Sequence, residues 1–141
     1  MSGMARQYEA RYATEFFNEV MPEVHHQRRV WLGPAPPGEE GQKLGTRSRW
    51  ADAIVFYPDK ILIIEFKMDQ DPKSIGQLLL YKNMFKQTIR FQQYWRLPVY
   101  MMVVTAKVND HLFDLAEEQG IEYKVFRPQW INWWEKNKMR L

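Results

Sequence analysis

Residues 50–67 constrain the fold of this chain more strongly than any other stretch. They read W-A-D-A-I-V-F-Y-P-D-K-I-L-I-I-E-F-K, which is two apolar runs separated by a Tyr-Pro-Asp-Lys turn signal. Proline presets φ in such turns and aspartate bonds to its own backbone there, so the pattern predicts two antiparallel strands joined by a tight turn. Asp52, Glu65 and Lys67 occupy positions where a buried strand normally carries Val or Ile.

The length of the turn decides which residues of the two strands face each other. With a loop of two or four residues, facing residues have numbers that sum to 117, and Asp52 lies opposite Glu65. Because side chains alternate along a strand, both carboxylates share a face with Lys67 and with Ile54 and Ile63. Facing like charges destabilise a sheet, and a cation between them would reverse that effect. A loop of odd length would break this alignment.

Composition indicates one globular domain over residues 1–141, with a core at about 8–127 and an aromatic, basic tail at 128–141. The chain is 45% hydrophobic and 15% aromatic, enough for a single core. It has no cysteine, which excludes disulfides, zinc–thiolate sites and iron–sulfur clusters. The net charge of +3 favours a polyanionic partner only slightly.

Hydropathy predicts an intracellular protein without a membrane segment. No window approaches the roughly 18 consecutive apolar residues of a membrane span. The N-terminus also lacks the apolar core of a signal peptide.

The rest of the chain alternates between helical and strand patterns. Apolar residues at helical spacing predict a helix over residues 4–20, and Pro72 marks the start of another that runs to about residue 88. The other predicted elements are an edge strand at 29–32, a Pro/Gly loop at 34–45, a buried strand at 99–105, a helix at 110–119 and a strand at 121–126. The order α-β-β-β-α-β-α-β predicts an α/β fold: an antiparallel meander extended by crossover helices into a mixed sheet flanked by helices.

This order, together with Asp52, the Glu65-Phe66-Lys67 triplet and the following Q-L-L-L-Y run, resembles the PD-(D/E)xK nuclease superfamily over about residues 8–105. The resemblance implies a restriction-endonuclease-like core. The Q-x-x-x-Y helix, with Gln77 and Tyr81, is similar to that of the RecB-type and λ-exonuclease-type branch. Two departures stand out: alanine precedes Asp52 where the family often has proline, and the cysteines that bind an iron–sulfur cluster in some RecB-type nucleases are absent.

The resemblance implies a metal-dependent deoxyribonuclease. It assigns Asp52, Glu65 and the carbonyl of Phe66 as ligands of Mg²⁺, for which Mn²⁺ would substitute. Glu15, in the first helix, would bind the metal directly or through water. Lys67 would orient or deprotonate the attacking water and steady the phosphate charge.

The same resemblance gives Gln77 and Tyr81 the task of positioning the substrate or holding the lysine and carboxylate in place. The plainer interpretation makes Gln77 a solvated helix residue and Tyr81 a core residue. Glu15 has an equally plain alternative as a surface glutamate, in which case Glu9 or Glu19 would take its role. Asp52 could likewise begin a turn, with Glu65 and Lys67 on the solvated face of an edge strand.

Basic residues around the predicted site suit sequence-independent, salt-dependent contacts with the DNA backbone. They are Arg28, Arg29, Lys43, Arg47, Arg49, Lys73, Lys82, Lys86, Arg90 and Arg96. No sequence-reading helix or zinc module is evident, so base-specific recognition is not expected.

The rival hypothesis is a nuclease-fold protein that acts as a non-catalytic nucleic-acid-binding or assembly module in a viral or repair complex. The aromatic tail, with Trp130, Trp133 and Trp134, suits either packing or contact with a partner, including a homo-oligomer or a larger complex. Base stacking is a further alternative for these tryptophans.

Overall fold

Five strands form one mixed sheet in the order β1-β2-β3-β4-β5. The structure is a computed structural model that describes residues 3–34, 50–69 and 71–140. The first three strands pair antiparallel, and β3, β4 and β5 run parallel to one another. The strands are β1 (His26–Trp31), β2 (Trp50–Phe56), β3 (Ile61–Lys67), β4 (Val99–Thr105) and β5 (Ile121–Val125).

Helices cover both faces of this sheet, which confirms the predicted α/β architecture. The element order α-β-β-β-α-β-α-β is also confirmed among the described elements, and a further helix follows in the tail, where the sequence predicts no element. A 3₁₀ segment at Ile89–Tyr94 lies between the second helix and the fourth strand. The α-helices are α1 (Gly3–Val20), α2 (Lys73–Phe85), α3 (Asp110–Glu118) and α4 (Ile131–Asn137).

The pairing of β2 with β3 confirms the register predicted from the turn. Ala53 faces Ile64 and Val55 faces Leu62, so facing numbers sum to 117. The N–H of Tyr57 donates to the carbonyl of Lys60 over 3.0 Å and closes the turn.

Alternation along β2 and β3 divides the core into two layers. Ile54 and Ile63 face α2, where they pack with Leu78, Tyr81 and Phe85. The other face buries Ala53, Val55, Leu62, Ile64 and Phe66 against Tyr12, Phe16 and Phe17 of α1. Each fully buried large apolar side chain contributes about 1.5–3 kcal/mol of transfer free energy. Both faces of β3 are therefore covered, as its continuous apolar run requires.

The C-terminal tail packs onto α1 and belongs to the second core layer. Ile131 and Trp134 are buried in that cluster. The Trp130 ring lies 5.5 Å from that of Tyr8, and Lys138 binds the carboxylate of Asp69 just after β3. The packing interpretation of the tail therefore holds for Trp130 and Trp134.

The predicted Pro/Gly loop beyond Pro34, which contains Lys43, lies outside the described residues, as do Arg47 and Arg49 after it. Within the described ranges, no helix has the length and apolar character needed to cross a bilayer.

Candidate active site

Asp52 and Glu65 meet where β2 and β3 separate. Their regular ladder ends at Ala53, and the next hydrogen-bonded pair would join Ala51 to Phe66. Instead, the N–H of Phe66 donates to Oδ2 of Asp52 over 2.8 Å. The N–H of Asp52 donates to Oε1 of Glu65 over 3.0 Å. Each carboxylate is therefore held by a backbone N–H at the end of the ladder.

A distortion of β1 explains why the N–H of Asp52 can reach Glu65. Phe56 donates its N–H to His25, so alternation along β2 would point the N–H of Asp52 at Arg29 of β1. The residues on either side of Arg29 pair with β2, but Arg29 does not pair with Asp52. Arg29 has φ of 52°, in the left-handed region that costs a non-glycine residue about 1–2 kcal/mol. This local strain sits directly beside the carboxylate pair.

Burial makes both carboxylates hard to ionise. Desolvation raises the pKa of Glu65, which is 2% exposed, well above its usual range, and the charge of Asp52 raises it further. Desolvation also raises the pKa of Asp52, against the opposing effects of the Phe66 N–H, Lys67 and Arg28. The pair therefore holds a proton at pH values where isolated carboxylates have lost theirs, unless a cation replaces it.

Lys67 lies at the end of β3, within electrostatic reach of both carboxylates. Its ammonium is 3.8 Å from Oδ2 of Asp71. Asp71 is itself fixed at the start of α2, because its Oδ1 accepts from the N–H of Lys73 over 2.9 Å and its carbonyl accepts from the hydroxyl of Ser74. Asp71 was not predicted as a site residue from the sequence, in which its place directly before a helix-initiating proline was the available signal.

Helix α1 places Glu9 near Asp52 and directs Glu15 toward the C-terminal tail. Desolvation raises the pKa of Glu9, the charge of Lys67 lowers it and the charge of Asp52 raises it further. Glu15 instead accepts from the indole N–H of Trp130 over 2.5 Å and pairs with Arg11. At 100° per residue the two glutamates lie about 120° apart around the helix axis, so they cannot serve one site together.

Helix α2 places Tyr81 and Gln77 against the sheet. The hydroxyl of Tyr81 donates to the carbonyl of Trp50 over 3.1 Å and so ties α2 to the start of β2. Burial raises the pKa of Tyr81, and the charges of Glu65 and Asp52 raise it further, which puts the phenol close to the carboxylates. Gln77, one turn earlier, has a buried Oε1 without a hydrogen-bond partner among the described residues. That oxygen is available to accept from a donor.

A groove of about 430 Å³ opens beside Asp52 between α1 and the β1–β2 edge. Burial lowers the pKa of Arg28 while the charge of Asp52 raises it. The guanidinium of Arg29 lies 6.0 Å from the ring centroid of Trp50. Negative and positive groups thus line one cavity, whose walls are formed by Arg6, Glu9, Ala10, Ala13, Arg28, Arg29, Trp50, Ala51, Asp52 and Phe66.

The donor set of the site fits Mg²⁺. The described part of the chain holds no cluster of three His, Cys, Asp or Glu side chains arranged as a metal site. Mg²⁺ keeps several waters, however, and needs only one or two carboxylates, which Asp52 and Glu65 supply. The carbonyl of Phe66 lies on the same side of β3 as its N–H, which faces Asp52, and is a further oxygen donor.

No protein-family model and no curated protein matches the sequence. Several chains of solved structures share the fold. The crystal structure of a repair endonuclease from Pyrococcus abyssi matches over 85% of this chain, with a TM-score of 0.55 and 20% identity. The structure of an EndoMS–dsDNA2 complex also matches over 85%, with a TM-score of 0.53 and 14% identity.

These similarities establish the architecture: the chain has a restriction-endonuclease-like core, with a mixed five-stranded sheet flanked by helices. The match covers 47% and 45% of those two chains, so this chain spans slightly less than half of each.

Proposed function

We propose that this protein is a metal-dependent nuclease that hydrolyses phosphodiester bonds of DNA. The observation that carries the proposal is the pair of buried Glu65 and half-buried Asp52 at the open end of β2 and β3, with Lys67 at the same end of β3. Carboxylates rarely face each other in a buried sheet without a cation, since the arrangement costs stability. The fold shared with a repair endonuclease supports the same conclusion.

Asp52, Glu65 and the carbonyl of Phe66 would hold Mg²⁺, with Mn²⁺ as a substitute. A bound divalent cation lowers the pKa of a coordinated water and neutralises charge on the reacting phosphate. We assign the supporting carboxylate of α1 to Glu9 rather than Glu15, because Glu9 interacts electrostatically with Asp52 and Lys67.

The remaining residues of the site orient groups and neutralise charge. Lys67 would donate to the scissile phosphate or orient the attacking water, with Asp71 limiting the positions its ammonium can take. Arg28 and Arg29, which line the groove beside Asp52, would bind backbone phosphates of DNA. Gln77 and Tyr81 would position the substrate or hold Lys67 and the carboxylate in place, as the resemblance to the RecB-type branch implies.

A nuclease assay tests the proposal directly. Plasmid and oligonucleotide DNA should be cut in Mg²⁺ or Mn²⁺ and left intact in EDTA. Asp52→Asn and Lys67→Ala should lose nearly all activity, whereas Lys60→Ala, at the opposite end of β3, should retain it. Cleavage that persists unchanged in both site variants would refute the assignment.

Metal binding gives a readout independent of activity and separates the enzyme from a non-catalytic module. Millimolar Mn²⁺ should raise the melting temperature of the wild type, because a ligand that binds only the folded state stabilises it. The Asp52→Asn/Glu65→Gln double variant should not respond. An assembly module has no need to bind the ion, so the absence of a wild-type shift would favour that rival.

A further inference from the structure

The outer edge of β5 presents unpaired backbone groups. The N–H of Phe126 donates to the carbonyl of Thr105 over 2.9 Å, so even-numbered residues of this segment point toward β4. By alternation, the N–H and C=O groups of Ile121, Tyr123 and Val125 point away from the sheet. Among the described strands, β5 is the last in the sheet and none pairs with that side.

The two edges of the sheet differ in regularity, because the backbone of β1 is distorted at Arg29 whereas β5 is regular. Edge strand β1 carries the consecutive charges of Arg28 and Arg29, and the left-handed backbone at Arg29 interrupts its regular extension. Local irregularity is a common means of preventing edge-to-edge pairing, and charges of one sign, such as those of Arg28 and Arg29, add to it. Strand β5 is regular and exposes Val125 at 37%.

We propose that β5 pairs antiparallel with β5 of a second copy of this chain, about a twofold axis at Tyr123. In that register each Ile121 faces Val125 of the other copy, and all the outward N–H and C=O groups of these residues and Tyr123 are paired. Each Glu122 then faces Lys124 of the other copy. The segment I-E-Y-K-V is thus complementary to itself when reversed.

Charge selects this register over its neighbours. A twofold axis at position 122 would put glutamate opposite glutamate, and an axis at position 124 would put lysine opposite lysine. Facing like charges destabilise a strand pair, whereas facing opposite charges contribute about 0.2–1 kcal/mol each. The axis at Tyr123 is therefore favoured, because the dimer then contains two such Glu–Lys pairs.

Apolar surface beside the edge adds to the contact. The Phe113 ring of α3 is 43% exposed and lies 5.9 Å from the ring of Tyr123. A single strand pair with such flanks is small compared with the roughly 1,200–2,000 Å² of stable interfaces. The expected association is therefore in the micromolar range or weaker.

Charge-swap variants test the pairing by sedimentation between about 10 µM and 1 mM protein. The wild type should show a monomer–dimer equilibrium. Lys124→Glu or Glu122→Lys should weaken association roughly tenfold or more, since two attractive pairs become repulsive. The double variant Glu122→Lys/Lys124→Glu should restore it, and circular dichroism should show that all three variants fold.

Amide hydrogen exchange provides a second measurement. Protection at Tyr123 and Val125 should rise with protein concentration, while Lys124, whose N–H already points toward β4, should change little. A wild type that remains monomeric at the highest concentration would overturn the proposal. So would a dimer that is insensitive to Lys124→Glu, because its interface would lie elsewhere.

Discussion

Glu65 shows at the scale of one residue how the candidate site opposes stability. Its carboxyl holds a proton in the folded protein at pH values where the unfolded chain, with a pKa near 4.3, has lost it. The contribution of Glu65 to stability is therefore complete at low pH and is lost as pH rises through its folded-state pKa. Ionisation of Glu65 in the folded protein therefore lowers the free energy of unfolding.

We therefore expect Glu65→Gln to stabilise the metal-free protein at pH 8 and to leave it nearly unchanged at pH 4. The gain should be about 1.4 kcal/mol for each unit by which folding raises the pKa. Chemical denaturation in EDTA across this pH range measures it. Glu23→Gln, at an exposed glutamate, is the control. A glutamine variant with the same pH profile as the wild type would contradict the burial of charge at this position.

Arg29 carries backbone strain beside the site, and a pair of substitutions can measure it. Glycine adopts φ of 52° freely, whereas alanine meets the same steric cost as arginine. Arg29→Gly should therefore have a free energy of unfolding about 1 kcal/mol above that of Arg29→Ala, although both variants lose the same charge. Urea denaturation of the two compares them directly. If alanine were the more stable, β1 would not be strained here.

At the scale of an element, the two glutamates of α1 lie on different sides of the helix, Glu9 in the groove beside Asp52 and Glu15 against Trp130. Glu9→Gln should lower activity about ten- to a hundredfold with little change in melting temperature, as is usual for groups that support a metal site. Glu15→Gln should retain activity, because Glu15 contacts Trp130 and Arg11. Steady-state kinetics and thermal melting of the two variants test the distinction. Equal losses of activity in the two variants would show that the side of α1 on which a glutamate lies does not decide whether it supports activity.

Helix α4 allows a comparison between adjacent tryptophans. Trp134 is 7% exposed and packs in the core layer with α1, while Trp133 is 49% exposed. Trp134→Ala should cost about 3–5 kcal/mol, as large-to-small core substitutions do. Trp133→Ala should cost less than about 1 kcal/mol. Denaturant unfolding would show whether the tail is a structural part of the core; similar small losses for both would mean that it is not.

At the scale of the whole molecule, the net charge of +3 is too small to attract DNA strongly by itself. We expect DNA binding to depend instead on the position of Arg28 in the groove beside Asp52. Arg28→Ala should weaken DNA binding measured in EDTA and reduce the slope of log K against log salt by about 1, as the loss of one phosphate contact does. Lys60→Ala, at the turn between β2 and β3, should change neither. An unchanged slope for Arg28→Ala would remove it from the interface.

The sequence predicted the sheet well because local signals coincide with the tertiary arrangement there. The turn at Pro58 set the register, and the apolar run at Val99–Thr105 marked a buried strand with the observed bounds. The prediction was poorer where tertiary packing decides the secondary structure. Helix α4 forms in a tail of mixed aromatic and basic character, and it is held by contacts such as those of Trp130 with Tyr8, more than a hundred residues away.

What the sequence determined by itself was the carboxylate pair: alternation and turn length place Asp52 opposite Glu65 without reference to the rest of the chain. Only the tertiary structure decided which α1 glutamate approaches that pair, because the choice depends on how the helix is rotated against the sheet. In the sequence, Glu15 borders the apolar stripe of the helix and Glu9 lies within it. The burial of Phe16 and Tyr12 fixes the rotation and directs Glu9 into the groove beside Asp52, while the docked tail occupies Glu15.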